Sequence, residues 1–351
     1  MTDLEKVSDL DNLLKAFYKS RTDVEWKNSV QTFEQNLLLN LMDIQSSLLN
    51  GTYQQGPFFE FTLSERGKVR HIKALSIRDR IVQRSLCDNV LMPAIKKYLI
   101  YDNGASVKDK GVTFSRNRMI THLEKYMRQY GTEGYILQID FSNFFGTIPH
   151  KEVIDMLESK LKDSSTFPLI EHIIHSFNDN GVGLGIGSQI SQICGILYIT
   201  PLDNYCKIVK QMKYYGRYMD DLYIIHHNKE ELKQLLNEIL IIAKDLKLII
   251  NPKKTHITKL THGFTFLQIK YNILPNRKIL QRLSSKSITR ERRKIKKYRK
   301  LVNNNQMTFL EVQNAYKSWK EDKRKFSSYN SIRNLNYLFD KLFTDGGYYG
   351  E

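Results

Sequence analysis

Three carboxylates, carried on two short stretches, offer the clearest chemistry in this sequence. Asp220 and Asp221 are adjacent in Tyr218-Met219-Asp220-Asp221, between Tyr214-Tyr215-Gly216-Arg217 and the apolar run Leu222-Tyr223-Ile224-Ile225. That pattern predicts a strand, a tight turn carrying the aspartates, and a second strand. Earlier in the chain, Tyr135-Ile136-Leu137-Gln138-Ile139 reads as a strand that ends in Asp140 and continues into Phe141-Ser142-Asn143-Phe144-Phe145. Two aspartates in a turn are by themselves only a polar turn. Two strands that each deliver carboxylate to one end put three acids where a pair of divalent cations can be held.

The elements that must position these groups show as periodicity. Leu10, Leu13, Leu14 and Phe17 predict one helix; Phe33, Leu37, Leu38, Leu41 and Ile44 predict a second. After Gly51 and Gly56-Pro57, Phe58–Leu63 and Lys68–Ile72 read as the arms of a hairpin turning at Ser64-Glu65-Arg66-Gly67. Arg66, Lys68 and Arg70 cluster on it, with Lys73 just beyond. They form either a solvated basic hairpin or a clamp on a triphosphate, where arginine offers a bidentate fork. From Ile77 to Lys97 the helical period returns, with Arg78, Asp79, Arg80 and Arg84 outward and Ile81, Leu86 and Val90 inward. Residues 98–115 read as loop, Arg116–Tyr130 as helix, and Pro149-His150 as the start of a helix over Lys151–Lys162, with His150 a helix-start residue rather than a metal ligand.

Residues 181–192, Gly-Val-Gly-Leu-Gly-Ile-Gly-Ser-Gln-Ile-Ser-Gln, precede an apolar helical pattern over Ile193–Leu202. The stretch is either a flexible surface loop or a surface that lies flat against a base or sugar, where glycine removes the obstructing Cβ. It lacks the GK[ST] of a P-loop. Lys229–Leu246 is amphipathic, Asn251-Pro252-Lys253-Lys254-Thr255 reads as loop, and Phe264–Ile269 reads as strand. More than half of residues 282–300 are basic, interleaved with Ile288, Ile295 and Tyr298. In so basic a chain, that run is expected to track a phosphate backbone. The aromatic tail (Tyr316, Trp319, Phe326, Tyr329, Tyr337, Phe339) reads as a small helical subdomain.

Composition narrows the class. The net charge is +17 over 351 residues, a field that favours a polyanion, most commonly nucleic acid. No apolar run reaches the roughly 20 residues a membrane span needs, and the N-terminus lacks the basic and apolar regions of an export signal, so the chain reads as cytoplasmic. Cys87, Cys194 and Cys206 are odd in number and far apart. They fit neither a disulfide framework nor a zinc site and are expected to be reduced and buried.

In this order the motifs resemble those of the reverse transcriptase family over nearly the whole chain. Lys68-Val69-Arg70-His71-Ile72 with Arg78-Asp79-Arg80-Ile81-Val82-Gln83 is similar to the fingers motifs of the bacterial, group II intron-like branch. Asp140-Phe141-Ser142-Asn143-Phe144-Phe145 resembles the first palm motif, and Tyr218-Met219-Asp220-Asp221 the family signature. Asn251-Pro252-Lys253-Lys254-Thr255 resembles the motif that follows, and Phe266-Leu267-Gln268 the primer grip. The resemblance implies an α+β right-hand polymerase: N-terminal helices, fingers and a palm with an antiparallel sheet and flanking helices over 1–275, and a basic helical thumb over 276–351.

It also implies an RNA-directed DNA polymerase, a nucleotidyltransferase that copies RNA into DNA. Two Mg²⁺ ions, replaceable by Mn²⁺, would be held by Asp140, Asp220, the Phe141 carbonyl and, less directly, Asp221. Phe145 stands at the steric-gate position, which implies dNTP rather than NTP. Lys68, Arg70, Ile186, Gly187, Gln192 and Lys254 fall at dNTP-contacting positions. Lys254 is suited to meet the leaving pyrophosphate, with Lys253 as its competitor. The basic segment 282–300 falls at the expected thumb position, a surface for the template–primer duplex, with Arg290, Arg293 and Lys297 as its nucleic-acid-binding residues. The loop reads Ile186-Gly187-Ser188-Gln189-Ile190-Ser191-Gln192, where most of the family carries QGxxxSP. That departure resembles the enzymes of diversity-generating retroelements, which implies error-prone synthesis opposite adenine (mutagenic retrohoming) and a basic oligomeric accessory protein. A structured RNA is a further expected partner for priming. The alternatives are a prophage or antiviral-defence reverse transcriptase making templated or untemplated DNA, and a non-catalytic RNA-binding protein, against which the intact acids argue.

Overall fold

The computed structural model describes residues 1–65 and 68–343. Arg66 lies outside the described residues, as does the side chain of Lys68. The strands are β1 (Phe59–Glu65), β2 (Lys68–Ala74), β3 (Tyr135–Ile139), β4 (Phe141–Ser142), β5 (Tyr215–Tyr218), β6 (Asp221–His226), β7 (Ile249–Ile250), β8 (His256–Lys259), β9 (Phe264–Phe266), β10 (Ile269–Ile273) and β11 (Ile279–Leu283). They form the hairpin β1-β2, a four-stranded sheet β5-β6-β3-β8, the short pair β4-β7 and a three-stranded sheet β11-β10-β9. Helix and sheet are thus mixed in the α+β manner. No helix among the described residues is long and apolar enough to cross a membrane.

The chain divides into two compact units. The first comprises Met1–Arg118, Leu137–Ile224 and Glu230–His256. Its core is built where amphipathic helices present apolar stripes: Leu13 and Phe17 of Leu10–Arg21, Ile81, Val82 and Leu86 of Ile77–Leu86, and Ile193 and Leu197 of Gln189–Tyr198 are all buried. The second comprises Met119–Ile136, Ile225–Lys229 and the segment from Ile257 onward. There the helices Ser285–Asn303, Phe309–Lys323 and Tyr329–Phe343 share a core of Ile295, Val302, Val312, Tyr316, Leu335, Phe339 and Phe343. Tyr316 and Phe339 stack at 4.6 Å between ring centroids.

Several expectations are corrected. The second N-terminal helix is two, Asn28–Gln35 and Leu37–Leu49, parted at Asn36. Asp79 does not face outward: it is buried and accepts from Tyr53 Oη (2.8 Å), Ser76 Oγ (2.7 Å) and the Gly56 amide (3.2 Å). The strand expected over Phe264–Ile269 stops at Phe266, because Leu267 and Gln268 take positive φ (45° and 71°) and turn the chain into β10. Arg282 belongs to β11 rather than to the basic helix, which opens at Ser285. The helix expected from Arg116 begins at Val112, and the one expected to reach Lys162 ends at Glu158. All three cysteines are free and buried, and burial pushes their thiols upward.

The β5-β6 hairpin is the element on which the acids ride. Tyr218 pairs with Asp221, so Met219-Asp220 is the two-residue turn and Asp221 already opens the second strand. Gly216 sits opposite Tyr223, whose ring occupies the space a Cβ would need (2.6 Å from the Tyr223 hydroxyl oxygen). Met219 holds φ 55° without being glycine, a conformation that persists only when its surroundings impose it. Arg217 supplies that: buried, it donates from Nη1 to the Met219 carbonyl (3.0 Å), from Nη2 to Asp203 Oδ2 (2.6 Å) and from Nε to Asp203 Oδ1 (2.9 Å). Tyr215 donates to the same Asp203 carboxylate. Removing one partner of such a pair strands a buried charge. Asp203→Ala is therefore expected to cost about 3–5 kcal/mol in urea unfolding, and Asp203→Leu with Arg217→Leu less than either alone. A cost near zero for Asp203→Ala would show that the pair does not support the turn.

Candidate active site

The first unit brings Asp140, Asp221 and Lys254 together, with Asp220 close enough to act on both Asp221 and Lys254 electrostatically. Asp140 leaves the end of β3, and its carbonyl accepts the Asn251 amide at 2.8 Å. The adjoining pair Phe141↔Ile250 of β4-β7 fixes that register. The loop is tightened by the Lys254 amide on the Asn251 carbonyl (3.1 Å) and the Lys253 amide on Asn251 Oδ1 (3.1 Å). As a result Lys254 Nζ lies 2.7 and 2.6 Å from the two Asp140 oxygens. Partial burial opposes the Lys254 charge, but the Asp140 hydrogen bond and the three carboxylates outweigh it and hold the amine above its usual value. Lys253 is exposed.

Asp221 is where the charges crowd. Its carboxyl is pushed up to about 7, first by burial, then by the charges of Asp220 and Asp140, with Lys254 pulling the other way and a hydrogen bond to Asp140 adding to the rise. Carboxylates crowded this closely repel one another, and a cation between them relieves that repulsion. Hard oxygens on acids and a neighbouring carbonyl are the donor chemistry of Mg²⁺ and Mn²⁺, so the residues present fit such ions.

Phe145 stands beside the acids' hairpin through a glycine that the sequence reading did not single out. A Cβ on Gly195 would meet the Phe145 ring at 3.0 Å, the Phe144 ring at 3.2 Å and Met219 Sδ at 3.5 Å. The Phe145 carbonyl accepts the Leu184 amide (2.9 Å), Ile148 accepts from Gly183 (2.8 Å) and Gly181 accepts from His150 (2.8 Å). His150 starts its helix as expected, but it is fully buried, with Nε2 2.8 Å from the Gly183 carbonyl oxygen. Further along, the Ile186 carbonyl accepts the Lys73 amide of β2 (3.1 Å). Gly187, at φ +117°, leaves only 3.3 Å between a Cβ and Ile72 or the Lys73 carbonyl. Exposed Gln192 accepts from Ser106 Oγ (3.1 Å). Arg70 is half-buried on β2 opposite Leu63.

Phe266, Leu267, Gln268, Arg290, Arg293 and Lys297 belong to the second unit. Arg290 donates to Gln268 Oε1 (3.4 Å), and Arg290, Arg293 and Lys297 are exposed along one face of Ser285–Asn303. Sequence reasoning also missed Asp203, whose one signal was a lone arginine in the otherwise apolar Tyr214–Tyr218 run.

The raised Asp221 pKa has a sign that can be checked. Between about pH 4 and pH 7 the folded chain keeps a proton that the unfolded chain has released, so this group makes stability fall as pH rises through that window. In the presence of a chelator, the melting temperature is expected to drop between pH 5 and pH 8, and Asp221→Asn to flatten that slope. An identical slope in the variant would remove Asp221 as its source.

Comparison with known proteins places this site in a family. The chain is 22% identical over 347 residues to the Putative COX1/OXI3 intron 2 protein of Saccharomyces cerevisiae, covering 78% of this chain and 39% of that protein. It is 22% identical over 278 residues to Protein YkfC of Escherichia coli K12, covering 66% of this chain and 71% of that one. It thus spans well under half the length of the yeast relative. Residues 61–310 match the family described as reverse transcriptase (RNA-dependent DNA polymerase). That stretch contains every one of the acids, the Lys254 loop and the glycine-rich loop, and by it the chain belongs to the reverse transcriptase family.

Proposed function

We propose that this chain is an RNA-directed DNA polymerase that extends a primer along an RNA template with dNTPs. The observation that carries the reading is the meeting of Asp140, Asp220, Asp221 and Lys254 at the ends of β3 and the β5-β6 hairpin, within the matched family region. Asp140, Asp220 and the Phe141 carbonyl would hold the divalent ions, with Asp221 as the third carboxylate. When bound, two Mg²⁺ ions supply activation of the primer 3′-hydroxyl and neutralisation of the triphosphate.

The remaining groups are the chain's own. Arg70 and Lys68 bind the triphosphate from the β1-β2 hairpin. Lys254, already an ammonium among carboxylates, supplies charge or a proton to the departing pyrophosphate. The Phe145 ring, backed by Gly195 and Phe144, excludes a 2′-hydroxyl. Ile186, Gly187 and Gln192 face the nascent base pair. Phe266–Gln268 hold the primer end, and Arg290, Arg293 and Lys297 the template–primer duplex; the Gln268–Arg290 contact ties these two surfaces together. In this reading residues 1–275 are the N-terminal helices, fingers and palm, and 276–351 the basic helical thumb.

The finer assignment is an error-prone enzyme of a diversity-generating retroelement, with a structured RNA and a basic oligomeric protein as partners. The apolar Ile186 supports it: a side chain without polar groups beside the pair makes no hydrogen bond that a wrong base would lose.

Primer extension on a defined RNA template with dNTPs and Mg²⁺, followed by sequencing, tests the reading. Complementary DNA is expected, with errors concentrated opposite adenine; template-independent product would overturn templated copying. Asp220→Ala should abolish synthesis with the fold intact by circular dichroism. Phe145→Ala should lower discrimination against ribonucleotides by about 10- to 100-fold, and unchanged sugar choice would remove Phe145 as the gate. Ile186→Gln should reduce errors opposite adenine; an unaltered spectrum would detach Ile186 from fidelity.

A further inference from the structure

A polar chain, buried at its loop end and half-buried beyond, runs from the glycine-rich loop into the body of the first unit. Ser188 Oγ donates to Gln83 Oε1 (2.6 Å), and Gln83 Nε2 donates to Gln55 Oε1 (2.7 Å). Gln55 Nε2 in turn donates to Ser176 Oγ (2.6 Å), whose hydroxyl donates to the Ile173 carbonyl (2.6 Å). Every donor points the same way, so each bond polarises the next. The Gln55 backbone is held as well, its amide donating to His172 Nε2 at 3.0 Å. Gln83 and Ser188 are each 1% exposed, and Gln83 lies among the buried Ile81, Val82 and Leu86 of its helix. An apolar residue would fill that place without the cost of burying an amide.

Where the chain leads is informative. Ser188 is the N-cap residue of Gln189–Tyr198, yet its side chain makes no capping hydrogen bond. Serine at that position ordinarily satisfies an amide of the first helical turn; here the hydroxyl is committed to Gln83. Immediately before it, Ile186 and Gly187 are fixed from the other side by the Lys73 amide and by close packing on Ile72. The loop is therefore held between a backbone bond to β2, which only proline in place of Lys73 would remove, and a side-chain bond to Gln83, which a side-chain substitution removes.

We propose that Gln83 is a specificity-determining positioning residue: through Ser188 it sets the height of Ile186-Gly187 against the incoming base pair. This rests on the reading of that loop as the base-contacting surface. Gln83, at 1% exposure, acts through the loop rather than by reaching the substrate itself. Its effect on base choice comes from how tightly the loop is held, because rejecting a mispair of nearly the right shape requires a wall that does not yield.

The test uses the full chain, with Gln83→Leu, Ser188→Ala and the double variant. It measures kcat and KM for matched and mismatched dNTPs on a defined RNA template, together with hydrogen exchange at residues 186–190. Each single variant is expected to lower the matched-to-mismatched ratio of kcat/KM by about 5- to 10-fold, mainly through KM, with the double variant no worse than the singles. Faster exchange at 186–190 should accompany the change. Discrimination equal to the parent's in a folded variant would overturn the proposal, whatever happens to its melting temperature. Should Gln83→Leu fail to fold, Ser188→Ala decides alone. A parent chain that extends no primer would fail the polymerase reading instead; exchange would then still judge the anchor, and unchanged rates in Ser188→Ala would overturn it.

Discussion

A guanidinium with no access to water underlies this site. Arg217 spends its hydrogen bonds on Asp203, on the Ile196 carbonyl and on the Met219 carbonyl, while its own backbone pairs with the Asp102–Gly104 segment. Such a charge is tolerable inside a protein only when nearly every donor is used in good geometry. The arrangement forces Met219 into a backbone region that residues with a Cβ rarely adopt. The turn that results puts Asp220 at its apex and Asp221 at the first rung of β6.

The second constraint is repulsion. A chain with a surplus of seventeen positive charges nevertheless concentrates three carboxylates at one spot, and Asp221 answers by holding its proton more tightly than a free carboxyl would. Lys254 moderates the crowding. The basic surplus elsewhere suits a polyanion's backbone, and the acidic point suits the cations that accompany a triphosphate. In the proposed reading, the two fields divide the work of holding a nucleic acid and handling its reacting end.

Much of this was legible in the order of residues. The β5-β6 hairpin, the β3 strand ending in Asp140, the basic helix and the glycine-rich loop each carry a strong local signature, and local signatures survive folding. Legibility failed where tertiary partners decide. Asp79 looks like one of several surface charges until Tyr53, Ser76 and the Gly56 amide close around it. Leu267 and Gln268 have strand-compatible side chains, but the tight return into β10 requires positive φ there. Asp203 gains its meaning from Arg217, 14 residues on, and Gln83 and Ser188 gain theirs from each other across 105 residues, a relation no window of neighbours contains.

The backbone bonds joining Phe145, Ile148 and His150 to Leu184, Gly183 and Gly181 have an evolutionary implication. They are made by backbone amides and carbonyls, so drift among residues other than proline leaves them standing. The segment bearing Phe145 and the glycine-rich loop are thereby inherited as one mechanical part. Sequence change can retune what protrudes from that part at Ile186 or Gln192 without re-inventing the frame. On the proposed reading of that loop, a lineage built this way can alter what it accepts at one position while leaving the neighbouring aromatic ring where it was.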